Sequence, residues 1–362
     1  MKIGILTFHR AENFGAVLQC YALQTFLKNS NYEVKIIDYR CKAIENAYYL
    51  LNPRILFRHQ NFIKSIRQYI NRLSFFKDKW RKKQKYKTFR LRMLETTRPY
   101  FKLKKDLKFD AYIVGSDQVW NNQLTGGYDQ AYYLDFPTST NVKRIAYAVS
   151  NEENALPNMC IYKKQITKSL RKFHAISVRE EFFANALKAY TPLPIDICCD
   201  PTFLLSKDSY MSIASMPQED NFIFVYHVKE SKSASELADN LSKQTGCKII
   251  ELHAGFAKRI DTNRHLQNLG PTEILGYMLK ARYIITTSFH GLALSLILEK
   301  QFYVVAQESN IRQRSLLKQL KLDSRIVSDC LLGCITNIDY ENVNKQIDKM
   351  AGFSKEFIIK NL

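Results

Sequence analysis

The stretch KIGILTFHRAENFGAVLQCYALQTFLKN, residues 2–29, decides the fold class. It begins with an apolar run from Ile3 to Phe8, which is typical of a buried strand. A polar loop that contains Asn13 and Gly15 follows, and apolar residues at helical spacing come next. A strand that leads through a short loop into an amphipathic helix is the first half of a βαβ unit. The stretch therefore predicts an α/β fold with a parallel sheet.

The alternation of strands and helices continues in two successive series. The first predicts strands at residues 32–39, 109–117, 143–150 and 174–180, and a helix at 163–173. The second predicts strands at 221–228, 247–254 and 301–307, a strand and loop at 281–291, and helices at 233–244, 271–279 and 292–300. Two series predict two Rossmann-like domains with a cleft between them, at residues 1–198 and 199–345. A last helix, 346–362, is expected to pack back on the first domain.

The positive charge is concentrated in one segment. The formal net charge is +20, and residues 54–108 contain 19 Lys and Arg against three acidic residues, which is +16. Apolar residues recur at helical spacing there, so residues 43–108 are predicted to form a basic helical insertion. Three interpretations stay open: a solvated basic face, a helix pair lying on anionic lipid, or a nucleic-acid contact. No signature of a nucleic-acid-binding fold accompanies the segment, so nucleic acid is not an expected partner.

Composition also indicates the cellular compartment and whether a metal site is expected. No run of 18 apolar residues occurs, so no membrane span is predicted, and the first apolar stretch is too short for a signal peptide. A cytoplasmic protein is expected. The eight cysteines lie scattered without metal-ligand spacing, so they are predicted to be free thiols, and no metal site is expected.

Polar motifs follow several predicted strands, where ligands bind in open α/β sheets. The candidates for binding a sugar acceptor in the first domain are His9, Asn13, Gly15, Ser116, Gln118, Trp120 and Asn121. Trp120 is expected to stack on a sugar face, and Asp117 is a candidate base toward a hydroxyl. Arg179 at the end of another strand suits a carboxylate or phosphate. Ordinary turns, a packing Trp and a surface Arg–Glu pair are the alternatives.

The second domain has its own motif, Thr286 to Gly291, between a predicted strand and an apolar helix. His290 is the candidate acid or base there, and Gly291 is expected to leave room for a ligand beside the ring. Arg312 and Arg314 follow the next strand and are candidates for binding an anion; exposed charges near a helix start are the alternative.

Six segments together resemble the polysaccharide pyruvyltransferase family. They are NFGAVLQCYALQ (13–24), YIVGSDQVWN (112–121), ISVRE (176–180), DPTFLL (200–205), GPTEIL (270–275) and TTSFHGLALSLILEKQFYVV (286–305). The resemblance implies a GT-B-like fold. It also implies transfer of the enolpyruvyl group of phosphoenolpyruvate to two hydroxyls of one sugar, with a cyclic ketal and phosphate as products. No cofactor is implied, because phosphoenolpyruvate is a co-substrate.

The resemblance also assigns roles within the two motifs. His290 falls on the family's catalytic His, and its neighbours Ser288, Phe289 and Gly291 are expected to help bind the donor. Arg179 falls on an Arg implicated in binding phosphoenolpyruvate. Characterised members have an Arg two residues before the His, where this chain has Ser288. Another cation, Arg312 or Arg314, is expected to take that role, or the donor differs.

The positive charge fits an acceptor carried on a polyprenyl diphosphate. It also fits peripheral attachment of residues 54–108 to the inner face of the plasma membrane. The rival prediction is a GT-B glycosyltransferase that uses a nucleotide sugar. A further alternative is a non-enzymatic protein that binds nucleic acid through the basic segment.

Overall fold

The chain divides into two compact units. The structure, a computed structural model, describes residues 1–49, 73, 75–103, 107–139, 141–256, 264–305, 311–327 and 336–362. The first unit comprises Met1–Tyr48, Arg90–Leu205 and Asn344–Leu362. The second comprises Tyr49–Phe89 and Ser206–Val343. Residues 344–362 thus group with the first unit.

Strands and helices alternate through both units. The strands are β1 (Lys2–Leu6), β2 (Glu33–Ile36), β3 (Ala111–Val114), β4 (Lys143–Val149), β5 (Ala175–Val178), β6 (Ile195–Ile197), β7 (Phe222–His227), β8 (Lys248–His253), β9 (His265–Leu266), β10 (Tyr283–Thr286), β11 (Gln301–Val305) and β12 (Ile326–Val327). The helices are α1 (Phe14–Asn29), α2 (Lys42–Ala47), α3 (Phe76–Met93), α4 (Asn122–Thr125), α5 (Leu156–Ile161), α6 (Lys163–Leu170), α7 (Glu181–Leu187), α8 (Lys207–Met211), α9 (Lys232–Thr245), α10 (Pro271–Lys280), α11 (Phe289–Ile297), α12 (Ile311–Gln319) and α13 (Tyr340–Asn361).

Each unit contains one six-stranded parallel sheet. The order in the first is β2-β1-β3-β4-β5-β6, and in the second β12-β11-β10-β7-β8-β9. The strands read as nearly continuous apolar runs, and β3, β5, β7 and β10 are buried at every residue. Such runs are typical of parallel strands with both faces covered. The predicted fold class, α/β with two parallel sheets, is confirmed.

The short elements are the ones that sequence patterns did not predict. Residues 195–204 contain β6 and a 3₁₀ helix at Pro201–Leu204. The two-residue strands β9 and β12 extend the second sheet at its edges. They are too short to show a period in the sequence.

Only part of the predicted basic insertion is described. Residues 50–72, 74 and 104–106 lie outside the described residues, and with them the first predicted basic helix. The described part includes α3, whose residues to Phe89 group with the second unit. Within the described ranges, no helix combines the length and apolar character that crossing a membrane requires.

Candidate active site

The carboxyl ends of the strands in the first sheet carry the residues predicted for that domain. Parallel strands end at one edge of a sheet, so side chains that follow different strands meet there. His9 follows β1, residues 116–121 follow β3, and Arg179 follows β5. The local contacts decide what each side chain is available to do.

His9 is buried against a carboxylate from the neighbouring strand. Its Nε2 lies 3.0 Å from Oδ1 of Asp38, which follows β2, and its Nδ1 lies 3.2 Å from the carbonyl oxygen of Thr7. Arg40 donates to both oxygens of Asp38, at 2.8 and 2.7 Å. Burial by itself raises the pKa of Asp38, but the hydrogen bonds from His9 and Arg40 outweigh it and hold that pKa below its usual range. His9 is therefore part of a buried ionic cluster.

Asn13 and Gly15 form the start of α1. Oδ1 of Asn13 accepts hydrogen bonds from the backbone N–H groups of Gly15, at 2.9 Å, and Ala16, at 3.3 Å. This is the arrangement of a helix N-cap, which satisfies backbone donors at the first turn. Asn13 was predicted to bind the sugar acceptor, and in the structure its Oδ1 caps the helix.

The loop after β3 is held by a chain of side-chain hydrogen bonds. Asn121 donates to Oε1 of Gln118 at 2.7 Å, and Gln118 donates to Glu152 at 3.1 Å. Oδ1 of Asn121 also caps α4. Asp117 has a left-handed backbone with φ of 71°, and its Oδ1 accepts from the N–H of Gln118. The loop is therefore pre-organised, and the carboxylate of Asp117 stands near its partly exposed rim.

The expected sugar stacking by Trp120 is wrong. The side chain is fully buried, and its ring stacks on Tyr133 with 5.4 Å between ring centroids. Its indole N–H donates to the carbonyl oxygen of Tyr132 at 2.8 Å. No face of the indole reaches solvent, because Trp120 belongs to the core of the first unit.

Arg179 is buried between groups of its own chain. Its Nε donates to Oγ of Ser116 at 2.8 Å and to the carbonyl oxygen of Ala148 at 3.2 Å. Its Nη1 lies 3.1 Å from Asp200 and its Nη2 lies 3.9 Å from Asp117. The arginine side chain is 3% exposed. The structure therefore places Arg179 as a buried ion-pair partner, whereas the sequence suggested a group open to an anionic ligand.

The motif Thr286 to Gly291 forms the turn from β10 into α11. Ser288 caps the helix, since its Oγ accepts from the N–H of Gly291 at 3.2 Å. Oγ1 of Thr286 accepts from the N–H of Ser288 at 3.0 Å. A Cβ atom at position 291 would lie 2.3 Å from Oγ1 of Thr286. The space beside Gly291, expected to receive a ligand, is thus filled by Thr286.

His290 lies in the first turn of α11. Its residue exposure is 7%, and its ring meets the ring of Phe289 edge to face at 5.4 Å. The guanidinium carbon of Arg312 lies 6.0 Å from the centroid of Phe289, so one predicted cation is close to the motif. Arg314 is exposed on α12. The structure therefore groups His290, Phe289 and Arg312 within the second unit.

Comparison with known proteins supplies the family. The sequence model of the family described as polysaccharide pyruvyl transferase matches residues 13–309. The chain belongs to this family. Membership in the polysaccharide pyruvyl transferase family makes the protein a transferase. A search of curated proteins found no match.

Solved structures give the fold. UDP-GlcNAc 2-epimerase from Neisseria meningitidis, bound to UDP-GlcNAc, is similar with a TM-score of 0.52 and 9% identity, over 100% of this chain and 99% of that chain. The glycosyltransferase SnogD from Streptomyces nogalater has a TM-score of 0.41 and 12% identity, over 100% of this chain and 99% of that one. The similarity to the epimerase agrees with a GT-B-like fold for this member of the polysaccharide pyruvyl transferase family.

A cluster that the sequence analysis missed lies at the carboxyl ends of β7 and β8. Nε2 of His227 lies 2.9 Å from Oε2 of Glu251, which also accepts from Ser235. Arg264 donates to Oε1 of Glu251 at 2.6 and 2.8 Å. Burial by itself raises the pKa of Glu251, but the hydrogen bonds from His227, Arg264 and Ser235 outweigh it and lower that pKa to about 2.

One signal in the sequence could have revealed this cluster. Two apolar strands, FIFVYH and KIIELH, both end in His. They pair in parallel register with His227 opposite His253. Because side chains alternate along a strand, Glu251 lies on the same face as His253. This polysaccharide pyruvyl transferase thus has a second polar centre in its second unit.

Proposed function

We propose that the protein transfers the enolpyruvyl group of phosphoenolpyruvate to two hydroxyls of one sugar, in a bacterial surface polysaccharide such as a capsule or exopolysaccharide, or in its lipid-linked precursor. The observation that carries the proposal is membership in the polysaccharide pyruvyl transferase family over residues 13–309. The products are a cyclic pyruvate ketal and inorganic phosphate. No atom is oxidised or reduced in this reaction.

His290 is the proposed proton donor to the methylene carbon of phosphoenolpyruvate. Protonation there develops positive charge on the adjacent carbon, to which one sugar hydroxyl adds. The second hydroxyl then displaces phosphate from the same carbon. A positioned acid of this kind contributes roughly 10²–10⁴-fold to the rate. The start of α11 supports the role, since the N-terminal end of a helix favours a phosphate or carboxylate nearby.

Contacts within each unit support the remaining proposed donor and acceptor roles. Arg312 is the proposed cation for the phosphate or carboxylate group, because it already lies beside Phe289. Asp117 is the proposed base toward a sugar hydroxyl, because its loop is held by hydrogen bonds and its carboxylate is partly exposed. Arg179 acts by holding that loop, through Ser116 and the charge of Asp200.

The acceptor is proposed to be linked to a polyprenyl diphosphate at the inner face of the plasma membrane. Helix α3, FKDKWRKKQKYKTFRLRM, contains nine Lys and Arg residues against one acidic residue. Trp80 and Leu91 on this helix are 48% and 74% exposed. Basic residues beside exposed aromatic and aliphatic side chains suit the surface of an anionic bilayer.

The decisive experiment mixes the purified protein with phosphoenolpyruvate and glycan from a strain that lacks the enzyme. Phosphate release is measured, and mass spectrometry follows the gain of one pyruvate less one water. His290→Asn is expected to lower phosphate release about 10²–10⁴-fold. The matched control is His174→Asn, because His174 is an exposed histidine of the first unit.

Two outcomes would count against this proposal separately. Full phosphate release by His290→Asn would overturn the role of His290 and leave the reaction in place. Turnover of a nucleotide sugar, without any binding of phosphoenolpyruvate, would overturn the reaction in favour of a glycosyltransferase.

A further inference from the structure

Four side chains of the second unit converge at the ends of three neighbouring strands. His227 ends β7, Glu251 and His253 lie at the end of β8, and His265 starts β9. Nε2 of His253 lies 3.0 Å from Nδ1 of His265 and 3.8 Å from Oε2 of Glu251. Nδ1 of His265 lies 3.9 Å from the same oxygen. Three imidazole nitrogens thus surround one carboxylate oxygen.

These distances are close to those of a tetrahedral metal centre. Zinc binds imidazole nitrogen and carboxylate oxygen at about 2.0–2.2 Å, which separates tetrahedral ligand atoms by roughly 3.3–3.5 Å. The ligand atoms of His227, Glu251 and His253 all lie within 4.8 Å of one another. Metal binding would draw the more distant ligand atoms together to this separation.

The surrounding groups are those that usually orient metal ligands. Nδ1 of His253 lies 3.0 and 3.1 Å from the two carboxylate oxygens of Glu230. A ligating histidine commonly donates its second N–H to a carboxylate, which fixes the ring and leaves the other nitrogen for the metal. Arg264 and Ser235 hold the carboxylate of Glu251 in place.

Charge and burial also favour a divalent cation. The side chains of His227, Glu251 and His253 are each 1% exposed, and His265 is 20% exposed, which leaves an approach from its side. Asp239 pairs with Arg264 at 3.0 Å. Glu230, Asp239 and Glu251 against Arg264 give three negative charges and one positive charge, a net −2.

We propose that His227, Glu251, His253 and His265 bind one divalent transition-metal ion of the zinc class. Imidazole ligands favour such ions over magnesium or calcium, which prefer oxygen. Four protein ligands fill a tetrahedral shell, so the ion has a structural role. It ties β7, β8 and β9 together, next to β10, which leads into the His290 turn. The ligands come from three strands, so spacing along the sequence gave no metal signal.

The first test measures metal in the full chain, purified without a polyhistidine tag. Elemental analysis is expected to find about one zinc ion per chain after growth with zinc. The chelated protein, titrated with Co²⁺, is expected to develop the visible absorption of a tetrahedral site. Zinc is also expected to raise the thermal unfolding midpoint of the chelated protein. A chelated wild-type protein that binds neither Zn²⁺ nor Co²⁺, and gains no stability, would overturn the proposal.

Variants separate a built site from adventitious binding. His253→Ala is expected to abolish the cobalt spectrum, and His174→Ala, at an exposed histidine, to leave it unchanged. If His253→Ala does not fold, Glu230→Gln serves instead, with metal affinity expected to fall about 10–100-fold. Equal affinity in Glu230→Gln and wild type, with the cobalt spectrum retained in His253→Ala, would show that the metal binds adventitiously and would overturn the proposal. Phosphate release by the zinc-loaded enzyme is measured in parallel, so failure of the reaction remains distinguishable from failure of this site.

Discussion

Replacing Arg179 with leucine tests whether this arginine supports the fold or binds a ligand. The side chain of Arg179 is 3% exposed and that of Asp200 is 0% exposed, with 3.1 Å between Nη1 and Oδ2. The other oxygen of Asp200 accepts from the N–H and the hydroxyl of Thr202. The variant therefore leaves a carboxylate buried without its main positive partner.

The expected cost follows from this geometry. At 3.1 Å, with an effective dielectric constant of about 20, two unit charges attract by roughly 5 kcal/mol. Removing one partner of a buried ion pair costs about 3–5 kcal/mol, because the remaining charge stays desolvated. We expect Arg179→Leu to lower the free energy of unfolding of the first unit by that amount. For a unit of this size, the unfolding midpoint falls by roughly 6–20 °C.

Urea unfolding followed by tryptophan fluorescence measures this cost. The chain has two tryptophans, and Trp80→Phe leaves Trp120 to report on the core of the first unit. Arg171→Leu is the matched control, because Arg171 is exposed in the same unit, and it is expected to change stability by less than about 0.5 kcal/mol.

A double-mutant cycle with Asp200→Asn decides between the two roles. If the ion pair holds the fold, the coupling energy of the two changes is about 1–3 kcal/mol. The reasoning is refuted if Arg179→Leu costs less than about 1 kcal/mol, the effects add, and the KM for phosphoenolpyruvate rises sharply. That combination would mean that the guanidinium turns out to bind the donor.

Three further substitutions test other parts of both units. Gly291→Ala is expected to lower stability by about 1–3 kcal/mol, because its Cβ would meet Oγ1 of Thr286 at 2.3 Å; an unchanged calorimetric midpoint would contradict this. Asp38→Asn is expected to lower the free energy of unfolding at pH 7. The variant is also expected to lose less stability than wild type when the pH is lowered. Although burial raises the pKa of Asp38, His9 and Arg40 lower it below 3.8 in the folded protein, so the carboxylate contributes its full stabilisation above pH 3.8 and loses it as the pH falls further. If the urea midpoint falls equally between pH 7 and pH 3 in wild type and Asp38→Asn, this prediction is refuted. Trp120→Phe is expected to cost about 1–3 kcal/mol with the acceptor KM unchanged, since the ring is buried; a raised KM at unchanged stability would restore the stacking role.

The fold was predictable because its strands are long apolar runs. β7, β8, β10 and β11 each carry four to six residues with a strong apolar pattern, and polar loops separate them from helices. The edge strands β6, β9 and β12 have two or three residues and depend on pairing with a longer neighbour. Strand pairing is a tertiary interaction, so the local sequence pattern does not predict these short strands.

For the candidate site, only the positions of its residues along the sheets were predictable. The sequence placed Trp120 and Arg179 after buried strands, and both do lie there. Exposure depends on what packs against a side chain from elsewhere in the chain. Tyr133 covers the indole ring and Asp200 neutralises the guanidinium, and neither contact follows from the motif itself.

The buried polar pairs at the strand ends share one pattern with the strand order. His9 at β1 pairs with Asp38 beyond β2, and Arg179 at β5 pairs with Asp200 beyond β6. His227 at β7 pairs with Glu251 in β8. In each case, the carboxylate comes from the next strand in the chain or the loop after it, and that strand is also the neighbour in the sheet. Each carboxylate therefore has a close partner within its own unit, because consecutive parallel strands bring their carboxyl ends together. If the proposed function holds, the charge that binds phosphoenolpyruvate or an anionic membrane has to come from other residues, and Arg312 and the basic face of α3 are the groups assigned to it.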